Sequence, residues 1–408
     1  MQVGVRPMLA LVVAGASVAW LGVGDGSASE RAVRLHWAGV TAGDSAGAGW
    51  RAIARIGVPG KFVVMQSVAV AGAADAWAAG FAGRRGARLG RPVMEHWSGR
   101  VWRRVMVPGT AVTAFDRGPL GPSTIVGASS ARNVWVFNQL TGAWLRWNGD
   151  RWRHGRLPAQ AGSVATAVTA ELVLARDEVW AFGGSVYRNG HSDPYAARFD
   201  GRRWLVTPMP RVPNLLVSAA SAVSPGDIWA TIGYGGQVFF PPQANGGALA
   251  RWNGSRWRLE PLPARFGRSG DPTSIAARSG HDLWVGGGIA GRSLDLTEAA
   301  ARWNGSAWRV ARVPAARTKA DCVLRSVVPY RAGLLGLGEC FSNLNPGHLW
   351  SRLWRLSADT WSGPSRPHLA GTEPVFLDLA SADRAGAVWA TGYAGNVGII
   401  ALAGPVPQ

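Results

Sequence analysis

The segment Ala301-Arg302-Trp303-Asn304-Gly305-Ser306-Ala307-Trp308-Arg309 sets two tryptophans five residues apart around an Asn-Gly centre. Asn-Gly between apolar flanks is the strongest short hairpin signal a sequence carries. A two-residue turn at Gly305-Ser306 puts Trp303 directly opposite Trp308; a turn at Asn304-Gly305 makes them diagonal neighbours. Either register builds a cross-strand aromatic pair. The unit recurs at Trp252 to Trp257 and Trp147 to Trp152, and more loosely at Trp97 to Trp102, Phe199 to Trp204 and Trp354 to Trp361. A chain written this way is built from one hairpin used many times.

The second member of each pair gives seven anchors, Trp50, Trp102, Trp152, Trp204, Trp257, Trp308 and Trp361, spaced 50 to 53 residues apart. Between them runs a second lattice of Trp77, Trp135, Trp180, Trp229, Trp284 and Trp389, with Leu335 in the sixth slot. Only Trp20, Trp144 and Trp350 fall outside the two lattices and the first pair members. Each repeat reads as four short strands; in the fifth these are Thr273 to Arg278, Asp282 to Gly287, Ala299 to Asn304 and Ala307 to Arg312. No segment sustains a helical period, and prolines cluster after the fourth strand. Seven such units predict an all-β fold, a seven-bladed β-propeller over residues 30–408.

The order of Val179 to Gly184 (Trp-Ala-x-Gly-Gly) followed by an Arg-Trp-Asn-Gly…Trp-Arg hairpin resembles the kelch repeat, over about Val33 to Gly404. The chain departs from that pattern in using Trp where kelch units usually carry Tyr, and Gly-Gly is intact only in the third and fifth copies. Some propellers of this type are enzymes, as in galactose oxidase. That resemblance would imply a copper site of histidines, tyrosines and a Tyr-Cys crosslink. Five tyrosines and seven histidines without clustered spacing do not match it. Ser381 to Trp389 faintly resembles a sialidase Asp-box, one residue too long and present once.

The last copy lacks a Trp-Arg fourth strand, while Trp50-Arg51 is a fourth strand without a blade. Joining them closes the ring and removes an exposed edge. Val33 to Trp37 competes with Val397 to Leu402 for the third strand of that blade. Cys322 and Cys340 flank a turn centred on Arg331 by nine residues each, so they oppose one another at disulfide range.

Residues 1–29 read as a secretory signal: Arg6, an apolar run from Met8 to Gly24, then the small residues Gly26 to Ser29. Uncleaved, the run would serve as a membrane anchor. Export makes the disulfide the default state of the two cysteines. The net charge of +19 is almost all arginine. It fits either an acidic partner or a coding bias that raises Ala, Gly and Arg together.

The acids before the second strands (Asp75, Asp177, Asp227, Asp282) read as turn caps, since they recur in one turn of successive copies. The long connections all fall on one face, at Phe81 to Pro92, Pro108 to Pro122, Ser185 to Pro194, Gly233 to Gly246, Pro261 to Pro272 and Cys340 to His348. Loops on a rigid scaffold are where binding residues sit. That face offers Arg84, Arg85, Arg88, Arg91, Tyr187, His191, Asp193, Tyr234, Phe239, Asn343 and His348 as ligand-binding candidates. The expectation is an exported, monomeric, non-enzymatic binding or scaffold module without metal or cofactor. Its partner would be a glycan, an anionic polymer or a protein through the loop face, and not nucleic acid. The alternative is a carbohydrate-active enzyme or a galactose-oxidase-like copper oxidase.

Overall fold

Trp303 and Trp308 face each other directly, ring centroids 5.7 Å apart, so the first of the two hairpin registers is the one formed. The turn explains why. The Asn304 side-chain oxygen accepts the backbone N–H groups of Ser306 and Ala307 at 3.0 and 2.9 Å. Gly305 takes φ +95, where a side chain is strained and would also strike His281. The same Asx device holds Trp147–Trp152, Phe199–Trp204 and Trp252–Trp257 in that register. Blade 6 differs: Trp361 opposes Leu356, and Trp354 lies two residues further along the strand, opposite Gly336.

The computed structural model describes residues 49–404, apart from 73, 85–89, 108–123, 235–245, 292–295, 316–320, 332, 343–344, 358, 368, 370–374 and 383–385. They form seven four-stranded antiparallel sheets, a seven-bladed β-propeller. Strands a to d are Phe62–Gly72, Asp75–Gly83, Gly90–Trp97 and Trp102–Arg104 in blade 1, and Thr124–Ser130, Asn133–Asn138, Ala143–Trp147 and Trp152–Arg156 in blade 2. Blade 3 has Ser163–Val173, Val179–Tyr187, Ser192–Phe199 and Trp204–Val206; blade 4 has Leu216–Ser224, Asp227–Gly233, Ala248–Trp252 and Trp257–Glu260. Blade 5 has Gly270–Ser279, Asp282–Ala290, Leu296–Trp303 and Trp308–Ala311, and blade 6 has Asp321–Tyr330, Gly333–Ser342, Asn345–Ser357 and Thr360–Ser365. Blade 7 takes Val375–Ala382, Val388–Ala394 and Val397–Ala403 from one end of the chain and Trp50–Ile56 from the other. Val397–Ala403 thus fills the contested third position, with Trp50 opposite Ala403. Residues 1–29 and Val33 to Trp37 lie outside the described residues. One short helix, Ala264–Ser269, interrupts the connection expected to be irregular, and its buried Phe266 joins the core. Among the described residues no helix is long and apolar enough to cross a membrane.

The hydrophobic core is divided among the joints between blades. In the six blades that carry one, the strand b tryptophan packs against the c and d strands of the next blade. Trp135 meets Phe199 and Trp204 at 5.0 and 5.3 Å, Trp180 meets Trp252 and Trp257 at 5.2 and 5.9 Å, and Trp389 meets Trp97 and Trp102 at 6.3 and 6.0 Å. Trp77 packs likewise with Trp147 and Trp152, Trp229 with Trp303 and Trp308, and Trp284 with Trp361. Each such aromatic contact adds about 0.5–1.5 kcal/mol beyond area burial. Trp144, outside the sequence lattice, packs on Trp135 at 5.2 Å.

Around the axis, six of the seven a strands carry one bulged residue with a polar side chain: Gln66, Thr169, Ser218, Thr273, Arg325 and Asp378. The hydroxyls of Thr169, Ser218 and Thr273 donate to the carbonyls of Val217, Pro272 and Leu324 on the following blade. Gln66 accepts the Thr124 N–H at 3.1 Å. The bulge also accounts for the strand b glycines. Gly183 and Gly287 lie opposite the residue before the bulge, where a Cβ would come within 2.0–2.1 Å of the carbonyls of Ala167 and Asp271.

Cys322 and Cys340 are disulfide-bonded and directly opposed, Cα atoms 4.1 Å apart. The turn is centred between Arg331 and Ala332, half a residue beyond the expected point, with Tyr330 opposite Gly333. The bulge at Arg325 shifts the register back and brings the sulfurs level.

Candidate functional site

On the face of the a–b and c–d turns, the residue two before the strand b tryptophan is acidic in four blades. The residue across from that tryptophan on strand c is basic. In blade 4, Asp227 pairs with Arg251 at 2.7 Å, and the guanidinium lies over Trp229, 4.7 Å from its centroid. In blade 5, Asp282 pairs with Arg302 at 3.1 Å over Trp284. Blade 1 uses His96, 2.9 Å from Asp75 and stacked on Trp77 at 4.2 Å. In blade 3 the partner of Arg198 is Glu178, with Asp177 outside the pair, and Glu178 also accepts the Trp180 indole N–H at 2.6 Å. The contacts of these acids are with side chains and not with the turn backbone expected of caps: Glu178, Asp227 and Asp282 each neutralise an arginine held against an indole, and Asp75 bonds His96. Arg198 and Arg251 accordingly hold their protons more tightly than a free guanidinium, chiefly through the hydrogen bond to the acid.

Arginines that face each other across the c–d hairpin are resolved by this arrangement. Arg251 opposes Arg258 and Arg302 opposes Arg309. The strand c member is tied to its acid, and the strand d member is exposed to water.

Among the described residues, two arginine-lined clefts open on the surface. The larger, about 1180 Å³, lies on the rim at the joint of blades 5 and 6, lined among others by Arg312, Arg352, Asp359, Trp361 and Arg366. Asp359, the carboxylate in this lining, is bound to Arg302 at 2.7 Å. Burial, and then the neighbouring Arg366, lower the Arg352 pKa from the usual arginine range. The Trp354 indole donates to the Pro314 carbonyl at 2.8 Å and fastens the exit of blade 5 to blade 6. The smaller cleft, about 290 Å³, lies at the joint of blades 2 and 3 and is lined by Arg146, Asn148, Arg153, Arg176, Asp177 and Gly201.

The loop-face candidates fall into separate groups. Tyr187 and His191 close a tight hairpin, the Tyr187 N–H donating to the His191 carbonyl at 2.9 Å. Strands b and c of blade 3 continue through Ser185–Asp193 and Val186–Ser192, so the expected long loop there is a four-residue turn. Beside it Asp193 pairs with Arg211 at 3.2 Å, and His191 Nδ1 lies 2.5 Å from Asn214 Oδ1. Burial and the Asp193 carboxylate raise the pKa of Tyr187. Arg84 and Arg91 are exposed at the b–c connection of blade 1. Tyr234 is half-buried on blade 4, its N–H held by Asp271 at 2.8 Å. His348 sits on strand c of blade 6. Arg85, Arg88, Phe239 and Asn343 lie outside the described residues. Neither cleft lining includes a loop-face candidate. Both clefts are lined by arginines that the sequence displays only as hairpin flanks or loop charges.

Among the described residues one group has metal-ligand spacing, Glu298 with Cys322 and Cys340. Both sulfurs are spent in the disulfide.

No protein-family model matches the chain, and no curated protein is similar to it in sequence. Solved structures of similar shape include YCF48 from Cyanidioschyzon merolae, at 12% identity over 87% of this chain and 98% of that one, TM-score 0.47. The SapL1 lectin in complex with alpha methyl fucoside is similar at 12% identity over 78% and 98%, TM-score 0.42. Trypanosoma rangeli sialidase is similar at 10% identity over 73% and 55%, TM-score 0.44.

Proposed function

We propose that this propeller is an exported, non-enzymatic binding module of kelch-like type that engages an anionic polymer or acidic glycan. The observation that carries the reading is the rim cleft at blades 5 and 6. Three arginines line it, and the carboxylate in its lining is already bound to a fourth arginine. Guanidinium forks suit carboxylate and phosphate groups. Arg84 and Arg91 add charge of the same sign on the loop face, where a polymer, unlike a small ligand, can reach them as well. The disulfide supports an oxidising compartment.

The test is binding of polygalacturonate and of neutral dextran as a function of salt. Wild type should bind the polyanion alone, with affinity falling as salt rises. Arg312→Ser with Arg366→Ser should weaken binding about tenfold, the cost of losing charged hydrogen bonds, and flatten the salt slope. Arg84→Ser with Arg91→Ser should act in the same direction to a lesser extent. Equal binding of dextran, or no binding of the polyanion, overturns the proposal.

A further inference from the structure

Blade 2 departs from the acid–tryptophan–arginine pattern at one atom. Asn133 stands where Asp75, Glu178, Asp227 and Asp282 stand in their blades. The Trp135 indole can only donate, and it points at Asn133 Oδ1 at 3.2 Å, which fixes the amide orientation. Asn133 Nδ2 then donates to Ser129 Oγ and to the Ala175 carbonyl, at 2.8 and 3.1 Å. Both amide hydrogens are used, and the amide offers Arg146 no charge.

Arg146 nevertheless keeps the position of its counterparts. Its guanidinium lies 4.9 Å from the Trp135 centroid and 5.1 Å from that of Phe199, clamped between two blades. One Nη donates to the Arg176 carbonyl at 3.0 Å, and Nε is buried without a partner. Arg153 opposes it across the hairpin. Burial, then Arg176 and Arg153, lower its pKa. Three guanidinium groups therefore converge on a cavity of about 290 Å³ whose lining holds one carboxylate, Asp177. Arg355 of blade 6 also has no acid two residues before its strand b partner. It differs in lying over Tyr330 and in facing Ser362 across the hairpin, so no second arginine opposes it.

We infer that the cavity at the joint of blades 2 and 3 is a binding site for a small oxyanion group, a carboxylate or a phosphate, which takes the place of the carboxylate that blades 1, 3, 4 and 5 supply from within. It lies on the turn face, away from the loop face and the rim cleft, and does not depend on the polymer reading. A bound oxyanion would accept hydrogen bonds from a desolvated arginine and relieve the repulsion among the three cations, which is where charge-assisted hydrogen bonds are strongest.

The test is calorimetric titration of the whole protein with inorganic phosphate and, separately, with glucuronate, against chloride at equal ionic strength. Wild type should bind one equivalent of at least one of the two, and the stronger arm tells phosphate from carboxylate. Asn133→Asp supplies the missing carboxylate and should abolish binding. Arg153→Ser changes an exposed side chain and should weaken binding about tenfold with no change in melting temperature. Arg312→Ser with Arg366→Ser should leave this site intact, which separates it from the rim cleft. Wild-type binding no stronger than chloride, or unchanged binding in both Asn133→Asp and Arg153→Ser, overturns the assignment.

Discussion

The joint between blades 3 and 4 and the joint between blades 6 and 7 occupy equivalent places in the ring and are filled differently. In the first, Trp180 is fully buried between Trp252 and Trp257, with Phe182 stacked on it at 5.8 Å. In the second, Leu335 takes the tryptophan slot and packs with Tyr330, Leu337, Leu369 and Trp50. The cause lies in connectivity. An aromatic clasp needs two rings brought opposite by one tight turn, Asn-Gly, Asp-Gly or, in blade 1, Ser98-Gly99. Blade 7 has no c–d turn, because its outer strand comes from the other end of the chain. Trp50 therefore faces Ala403. With half a clasp to enter, the inserted residue is smaller. Blade 6, whose strand b lacks the tryptophan, is also the blade that carries the disulfide.

The largest effect should come from breaking the closing joint. Removing residues up to Ile56 uncovers one whole edge of Val397–Ala403 and takes Trp50 out of its cluster. Loss of cooperative urea unfolding and of the near-UV tryptophan signal is expected. A synthetic peptide of residues 49–56 added in trans should restore part of both. A truncated chain as stable as the full one would show that closure rests elsewhere.

Trp180→Leu makes the internal joint resemble the closing one without its compensations. The clasp of Trp252 and Trp257 stays rigid while the inserted volume shrinks, and Glu178 loses its indole donor. A loss of about 3 kcal/mol is expected from the cavity and the lost bond, read from urea midpoints. A loss below about 1 kcal/mol would mean that the clasp collapses freely and that the two joints are not distinguished by ring size.

What the sequence revealed about these joints follows from which contacts are local. The Trp303–Trp308 register, the seven blades and the closing Trp50 strand rest on turn chemistry and a fixed spacing, and both are written in consecutive residues. The bulges at Gln66, Thr169, Ser218 and Thr273 leave no periodic trace, because one extra polar residue in an apolar strand reads as ordinary alternation. The insertion of each strand b tryptophan into the next blade spans about one repeat and is invisible to local pattern. Glu178, not Asp177, binds Arg198, and two adjacent acids cannot be ranked by sequence until the start of the strand is known. Asn133 is legible once the tryptophans are aligned: of the residues two before a strand b tryptophan, it is the one uncharged residue whose tryptophan has a basic strand c partner, since Ala387 precedes Trp389, which faces Leu402. The rim cleft was not legible. Its walls come from the exit of one blade and the outer strand of the next.

Opening the Cys322–Cys340 bond probes the other side of blade 6, where both cysteines pack in one cluster with Trp284 of blade 5. The bond closes a loop with a separation of 18 residues, and removing it with Cys322→Ser and Cys340→Ser should cost about 2–3 kcal/mol. Reductant should lower the wild-type midpoint by the same amount and leave the double variant unmoved. Free thiols in exported, unreduced protein would contradict the pairing.

The smallest effect separates a joint by charge. Glu171, on strand a of blade 3, faces blade 2 at Gly127, where a Cβ would meet its Cγ at 2.8 Å. Burial raises its pKa to about 8, against a small lowering by its own backbone N–H. The folded-state value lies above the unfolded value of about 4.3, so the folded protein holds the proton more tightly. The stabilisation is complete below about pH 4 and disappears as pH rises through about 8. Glu171→Gln keeps the shape and removes the titration. It should match wild type near pH 4 and exceed it at pH 9 by on the order of 2 kcal/mol, since the side chain retains partial contact with water that screens the ionised form. Comparing the two proteins cancels every other titrating group. A constant difference between pH 5 and pH 9 would show that the carboxyl is ionised throughout, and that Gly127 makes room for a solvated charge.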